Sequence, residues 1–156
     1  MKKLILVIII LLNLNTKVIS SEIYGIPVIT DGDTIKISNS KVRLHGIDAP
    51  EKKQKCTKKK KKYNCGTVAT EALIKKIGKN TVKCLIQKKK DRYNRFIGVC
   101  FVEKEDLNKW MVRNGHAIAY RRYSKDYILD EEFAKINKFG LWSGTFLKPE
   151  KWRKLN

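Results

Sequence analysis

Apolar residues along the chain fall into three successive patterns, and each predicts a different kind of element. An unbroken apolar run, Leu4 to Leu12, stands behind Lys2 and Lys3, followed by a polar stretch, Asn13 to Lys17, and by Val18-Ile19-Ser20-Ser21. A charged start, an apolar stretch and small residues at its end predict a signal peptide over residues 1–20, cut after Ser20. The run is short of the roughly 18–20 residues that span a bilayer, and no cysteine follows it directly to carry a lipid. Residues 21–156 then form one domain with one core.

The second pattern has the two-residue period of strands. Ile23 to Thr30 is apolar, Asp31-Gly32-Asp33 turns, Thr34 to Ser38 alternates, Asn39-Ser40 turns again, and Lys41 to Ile47 makes a third strand. In that strand Val42, Leu44 and Gly46 face one side while Arg43 and His45 face the other. Pro50 ends the run because it removes a ladder donor. Thr81 to Phe101 reads as a hairpin centred near Arg92, which sets Cys84 opposite Cys100, Val82 opposite Val102 and Ile86 opposite Gly98.

The third pattern is helical. Thr67 to Ile77 carries Ala69, Leu73 and Ile77 on one face, with Gly78 as a stop. Leu107 to Asn114 follows an Asp106 cap and ends before Gly115. Tyr127 to Phe139, capped by Asp126, carries Leu129, Phe133 and Ile136 as a core-facing stripe. Trp110, Trp142 and Trp152 read as core or helix-docking residues, and His45 and His116 as structural. Strands, a helix, more strands and two further helices make an α+β domain. A five-stranded barrel of the OB type, interrupted by one helix after its third strand, fits that order.

Charge adds a partner class. The chain has 35 Lys+Arg against 15 Asp+Glu, a net charge of +20, and removing the three lysines of the first twenty residues leaves +17. Such a surface attracts polyanions, either nucleic acid or an anionic membrane. Eight lysines crowd Lys52 to Asn64, which reads as a charged loop. Four cysteines behind an export signal predict two disulfides. The hairpin register sets Cys84 against Cys100 with Cβ atoms within about 4.5–5.5 Å, leaving Cys56 and Cys65 to close the lysine loop. A zinc site is the rival reading, against which stand the spacing and the scarcity of histidine.

The chemistry concentrates in Asp31-Gly32-Asp33-Thr34 and Arg43-Leu44-His45-Gly46-Ile47-Asp48-Ala49-Pro50-Glu51. Carboxylates at two strand ends supply the oxygen ligands that hard divalent ions prefer, although Asp-Gly-Asp alone is also ordinary turn chemistry. With Asp91-Arg92-Tyr93-Asn94-Arg95 and Gly140-Leu141-Trp142 added, the pattern resembles the staphylococcal nuclease family, in order and roughly in spacing, over about Ile23 to Trp152.

That resemblance implies an OB-fold five-stranded β-barrel with three helices. It also implies a calcium-dependent endonuclease acting on DNA and/or RNA and leaving 3′-phosphate ends. By the same resemblance Asp33, Asp48 and the Ala49 carbonyl ligate calcium, and Asp31 stands behind them holding the ion's water. Glu51 orients or deprotonates the attacking water, and Arg43 and Arg95 clamp the phosphate. Tyr120, Arg92 and Tyr93 are candidate substrate contacts; Tyr120, with Tyr123, Arg121 and Arg122, can stack a base or simply belong to an amphipathic segment. Asn94 stands where the family usually has glycine, and Asn is the next-best residue for a left-handed turn. The resulting expectation is a secreted or periplasmic monomer with no stable protein partner. The alternative is a non-catalytic OB-fold nucleic-acid-binding protein of the cell envelope.

Overall fold

A computed structural model describes residues 21–156; the signal-peptide expectation for residues 1–20 lies outside them. The elements run β1 (Ser21–Gly25), β2 (Pro27–Asp31), β3 (Thr34–Ile37), β4 (Ser40–Leu44), β5 (Ile47–Asp48), β6 (Cys56–Lys58) and β7 (Lys61–Tyr63). They continue α1 (Cys65–Ile77), β8 (Val82–Lys90), β9 (Phe96–Val102), β10 (Glu105–Asp106), α2 (Leu107–Arg113), β11 (Ile118–Ala119) and α3 (Ile128–Ile136). A 3-10 turn (Gly140–Ser143) and α4 (Pro149–Leu155) complete the chain.

The main sheet has the order β1-β8-β9-β4-β3-β2, with β10 added to β9. Only β4 and β9 run parallel along that path. Its two end strands, β1 and β2, are successive halves of one run of chain joined at Ile26, so the sheet curls round on itself as a five-stranded OB-type barrel. The single strand expected over Ile23–Thr30 is therefore divided. Pro27 has no amide donor, and the chain changes partner there, from β8 to β3.

The barrel interior is filled by Ile35, Ile37, Val42, Leu44, Val82 and their neighbours, and α1 seals it with Ala69, Leu73 and Ile77. The helix face expected for α1 is the buried one, although the helix begins at Cys65, two residues early. Asp106 caps α2 through the Lys109 amide. The β8–β9 register sets Cys84 against Cys100 and Ile86 against Gly98. Both disulfides are present, Cys84–Cys100 and Cys56–Cys65, and no free cysteine remains, which removes the zinc reading.

Five expectations fail. The lysine-rich loop contains a hairpin, β6–β7, whose two turn residues Lys59 and Lys60 have φ of 48° and 62°. No Asn or Gly marks that turn, so nothing in the local sequence signals it. The third strand stops at Leu44, and Gly46 belongs to a turn rather than to a strand face. In α3 the stripe is out of phase: Leu129 and Ile136 are 83% and 80% exposed, while Tyr127, Asp130, Glu131 and Ala134 face inward. Inward carboxylates are charge-paired there, Glu131 with Arg121 and Lys135 while its other oxygen accepts the Ala119 amide, and Asp130 with Arg113. Nor does Asp126 cap that helix; Tyr127 takes the position without a side-chain bond. Finally the described residues form four helices rather than three, because Pro149 at the first position opens a short α4. Among the described residues no helix is long and apolar enough to cross a membrane.

Candidate active site

Three strand ends bring the candidate carboxylates together. The Asp31–Asp33 turn joins β2 to β3, and Arg43 on β4 lies opposite Thr34 on β3. After β4 the chain turns at Gly46, whose φ of 72° strains any other residue and where a Cβ would press on Ser124 and Tyr127 at 3.0 Å. The turn delivers Asp48 on β5, which pairs with β11 through Ile118. Buried Asn108 pins the turn: its amide nitrogen donates to the carbonyls of His45 and Gly98, and its oxygen accepts the Cys100 amide.

Arg43 occupies the middle of the cluster. Its Nη2 lies 2.9 Å from Asp33 Oδ2 and 3.4 Å from Asp48 Oδ1, so one nitrogen serves both carboxylates. Asp33 Oδ2 also accepts the Ala49 amide at 2.8 Å, which ties the Asp31–Asp33 turn to the Asp48–Glu51 segment. Asp31 accepts the Asp33 amide at 3.0 Å and so stands directly behind that turn. Glu51 is fixed through its backbone, since Gln54 Oε1 accepts its amide and a Cβ on Gly66 of α1 would collide with its carbonyl.

Arg95 arrives from the other side. Asn94 takes the left-handed conformation, φ 60°, and Asp91 gathers the turn by accepting the amides of Tyr93 and Arg95 and the Arg95 Nε. The remaining edge of the guanidinium reaches Thr34 Oγ1 at 3.2 Å, next to Asp33. Tyr93 lies under it, with the ring centre 5.3 Å from the guanidinium carbon, whereas Arg92 is exposed and bonded to the Tyr93 hydroxyl. Tyr120 packs edge-on to Tyr123 and hydrogen-bonds the Gly46 carbonyl through its amide. Burial and the nearby charges of Asp48 and Glu150 push its phenol up. His116 stacks on Trp110 and His45 contacts Gln87, both away from the carboxylates.

Two residues that the sequence did not single out belong to this cluster. Arg153 of α4 lays Nη1 and Nη2 against the two oxygens of Asp48, at 2.9 and 3.2 Å, and reaches Glu51 at 2.7 Å. Gln54, wholly buried, donates to the Leu147 carbonyl at 2.7 Å while holding Glu51. Neither carries a local signal, because one is a lone glutamine among lysines and the other lies in an unrecognised helix.

Electrostatically the site is acidic ground inside a basic molecule. Burial raises the Asp48 carboxyl to about 6 against the pull of Arg153 and Arg43. Asp31 is also raised to about 6, by burial and by the charge of Asp33. Groups held partly protonated in this way gain from an added cation. Asp33 and Asp48 offer hard carboxylate oxygens, which suit calcium and do not suit a soft metal, while no set of three His, Cys, Asp or Glu side chains gathers among the described residues.

The sequence profile described as staphylococcal nuclease homologue matches residues 41–144. The chain belongs to the staphylococcal nuclease family. An uncharacterized endonuclease of Haemophilus influenzae is 37% identical over 134 residues, covering 81% of this chain and 70% of that protein. The micrococcal nuclease of Shigella flexneri is 32% identical over 145 residues, 81% of this chain and 77% of its own length. The succinoglycan biosynthesis protein ExoI of Rhizobium meliloti is 32% identical over 126 residues, 79% of this chain and 66% of that one. Membership makes this staphylococcal nuclease homologue a hydrolase of phosphodiester bonds.

Proposed function

We propose that this nuclease is a calcium-dependent endonuclease of DNA and RNA that works outside the cytoplasm, with Asp33, Asp48 and the Ala49 carbonyl as its ion ligands. The supporting observation is that Arg43 shares one nitrogen between Asp33 and Asp48 while Arg95 reaches Thr34 beside them. Two oriented guanidiniums thus border the carboxylate pair. A phosphodiester gains negative charge on its phosphoryl oxygens as water adds, and preorganised donors meet that charge most strongly in the transition state. Arginine stays protonated throughout and offers a planar fork to two oxygens. Glu51, held near Asp48, takes the proton of the attacking water. Calcium, when bound, supplies further positive charge at the phosphate.

Asp31 fixes the Asp33 loop through the Asp33 amide. Tyr93, stacked with Arg95, and Tyr120, near Asp48, are placed to meet the nucleotide on either side of the scissile phosphate, with Arg92 further out on the exposed turn. Residues 1–20 act as the export signal, and the two disulfides fit an oxidising compartment. The eight lysines of 52–62 are all exposed and make no ion pair among the described residues, so they are free to draw in a polyanion.

The products test the reading. Digestion of DNA and of RNA in calcium should give fragments with 3′-phosphates, which a polymerase extends only after phosphatase treatment, and EDTA should stop it. Ends with free 3′-hydroxyls would overturn the polarity, and cleavage indifferent to EDTA would overturn the ion.

A further inference from the structure

The C-terminal segment touches the proposed hydrolytic groups three times directly and once through Gln54. Leu147 accepts from Gln54, whose other end holds the Glu51 amide. The Glu150 amide donates to Asp48 Oδ2 at 3.0 Å. The Arg153 fork covers both oxygens of Asp48, and its Nη1 also donates to Glu51 Oε1 at 2.7 Å. The C-terminal partners Leu147, Glu150 and Arg153 lie beyond residues 41–144, the span that the family profile matches.

An ion pair whose only task was to dock α4 would need one carboxylate. Here a single nitrogen joins two, from residues on opposite sides of Pro50, and one of them is wholly buried while the other is one-third exposed. The Glu51 carboxylate has no other partner among the described residues, so without Arg153 it turns freely about its own bonds. The arginine head is one-third exposed.

From this geometry we propose that Arg153 is a positioning residue for hydrolysis, fixing the Glu51 carboxylate relative to Asp48; the proposal rests on the reading of Glu51 as the group that handles water. The fork adds a second hold, Nη2 on the other oxygen of Asp48, while Nη1 makes the bridge. A lysine ammonium can bridge two carboxylates but loses that planar, two-nitrogen grip, so it fixes Glu51 relative to Asp48 less firmly. A group displaced by about an ångström from its productive place costs on the order of a hundredfold in rate.

The test compares R153A, R153K and E51Q in calcium-dependent DNA cleavage, with melting temperature recorded for each. R153A is expected to lose about 10–100-fold in kcat with KM within about threefold of the parent, and R153K to fall between. Guanidinium ion at tens of millimolar should restore part of the R153A rate, while sodium chloride of equal ionic strength should not, and E51Q should gain nothing. If R153A does not fold, R153K, which keeps the charge that docks α4, carries the same kcat and KM comparison. A folded Arg153 variant with normal kcat, a change confined to KM, or a guanidinium effect no larger than that of sodium overturns the role. E51Q separates the layers: active E51Q means that the water-handling assignment is wrong, and inactive E51Q beside normal R153A removes only the positioning role.

Discussion

Arg43 shows how one side chain can organise a site that is costly to build. Asp33 and Asp48 lie close together with little access to water, an arrangement that repels itself unless a cation stands between them. Arg43 supplies that charge, and Arg153 adds a second from α4. The remaining tension appears in Asp48 and Asp31, which burial lifts from an ordinary 3.8 to about 6. Their folded values lie above the unfolded ones, so the native state binds these protons more tightly. Their deprotonation therefore costs stability as the pH rises from 3.8 towards about 6, and that cost persists above. An ion between deprotonated carboxylates acts in the opposite sense, because protons and metal compete for the same oxygens. Calorimetric titration with calcium should show affinity falling by at least about tenfold between pH 8 and pH 5. Equal affinity at the two values would mean that Asp48 and Asp31 do not take part.

At the scale of elements, placement of Asp48 depends on the turn after β4, and that turn depends on Asn108 at the start of α2. Asn108 is wholly buried and uses both ends of its amide, joining α2, β9 and the His45–Gly46 turn. Replacing it with alanine strands a buried amide and two carbonyls, at a cost of about 2–3 kcal/mol. Urea denaturation measures this, and a loss under about 1 kcal/mol would show that the turn holds itself. Asn108 also marks where sequence reading stops. The β8–β9 register was legible because Cys84 and Cys100 alternate with apolar neighbours, and α1 because Ala69, Leu73 and Ile77 keep one face. The α3 stripe misled because Leu129 and Ile136 are apolar but exposed, while the buried positions Asp130 and Glu131 are carboxylates paired with distant cations. Local periodicity has no access to such partners. Asp33, Arg43, Asp48, Glu51 and Arg95 could be named from motifs with fixed spacing. Gln54 and Arg153 could not, since their roles exist only through partners about a hundred residues away in the chain.

The whole molecule is a positively charged body around a small acidic cluster. The β6–β7 hairpin concentrates that charge close in sequence to Glu51, tied by the Cys56–Cys65 disulfide and by paired backbone bonds between Thr57 and Thr145. If it holds nucleic-acid phosphates, removing its charge should flatten the salt dependence of substrate binding by about 0.9 in logarithmic slope for each phosphate it had neutralised. Changing Lys58, Lys61 and Lys62 to serine, with Lys59→Asn and Lys60→Gly to suit the turn, keeps the hairpin and removes its charge. KM for long duplex DNA should rise with a slope shallower by about two to three, and turnover of a dinucleotide-sized substrate should not change. An unaltered slope would make the lysines merely a solvated face.

The central claim is that this carboxylate and arginine cluster hydrolyses nucleic acid, and Glu51→Gln tests it most directly. The substitution keeps size and hydrogen-bonding shape while removing the base. The rate to measure is single-turnover cleavage of DNA in saturating calcium, with melting temperature as the control for folding. A fall of about 10²–10³-fold at unchanged melting temperature is the predicted result; near-parental cleavage by the folded variant would contradict it.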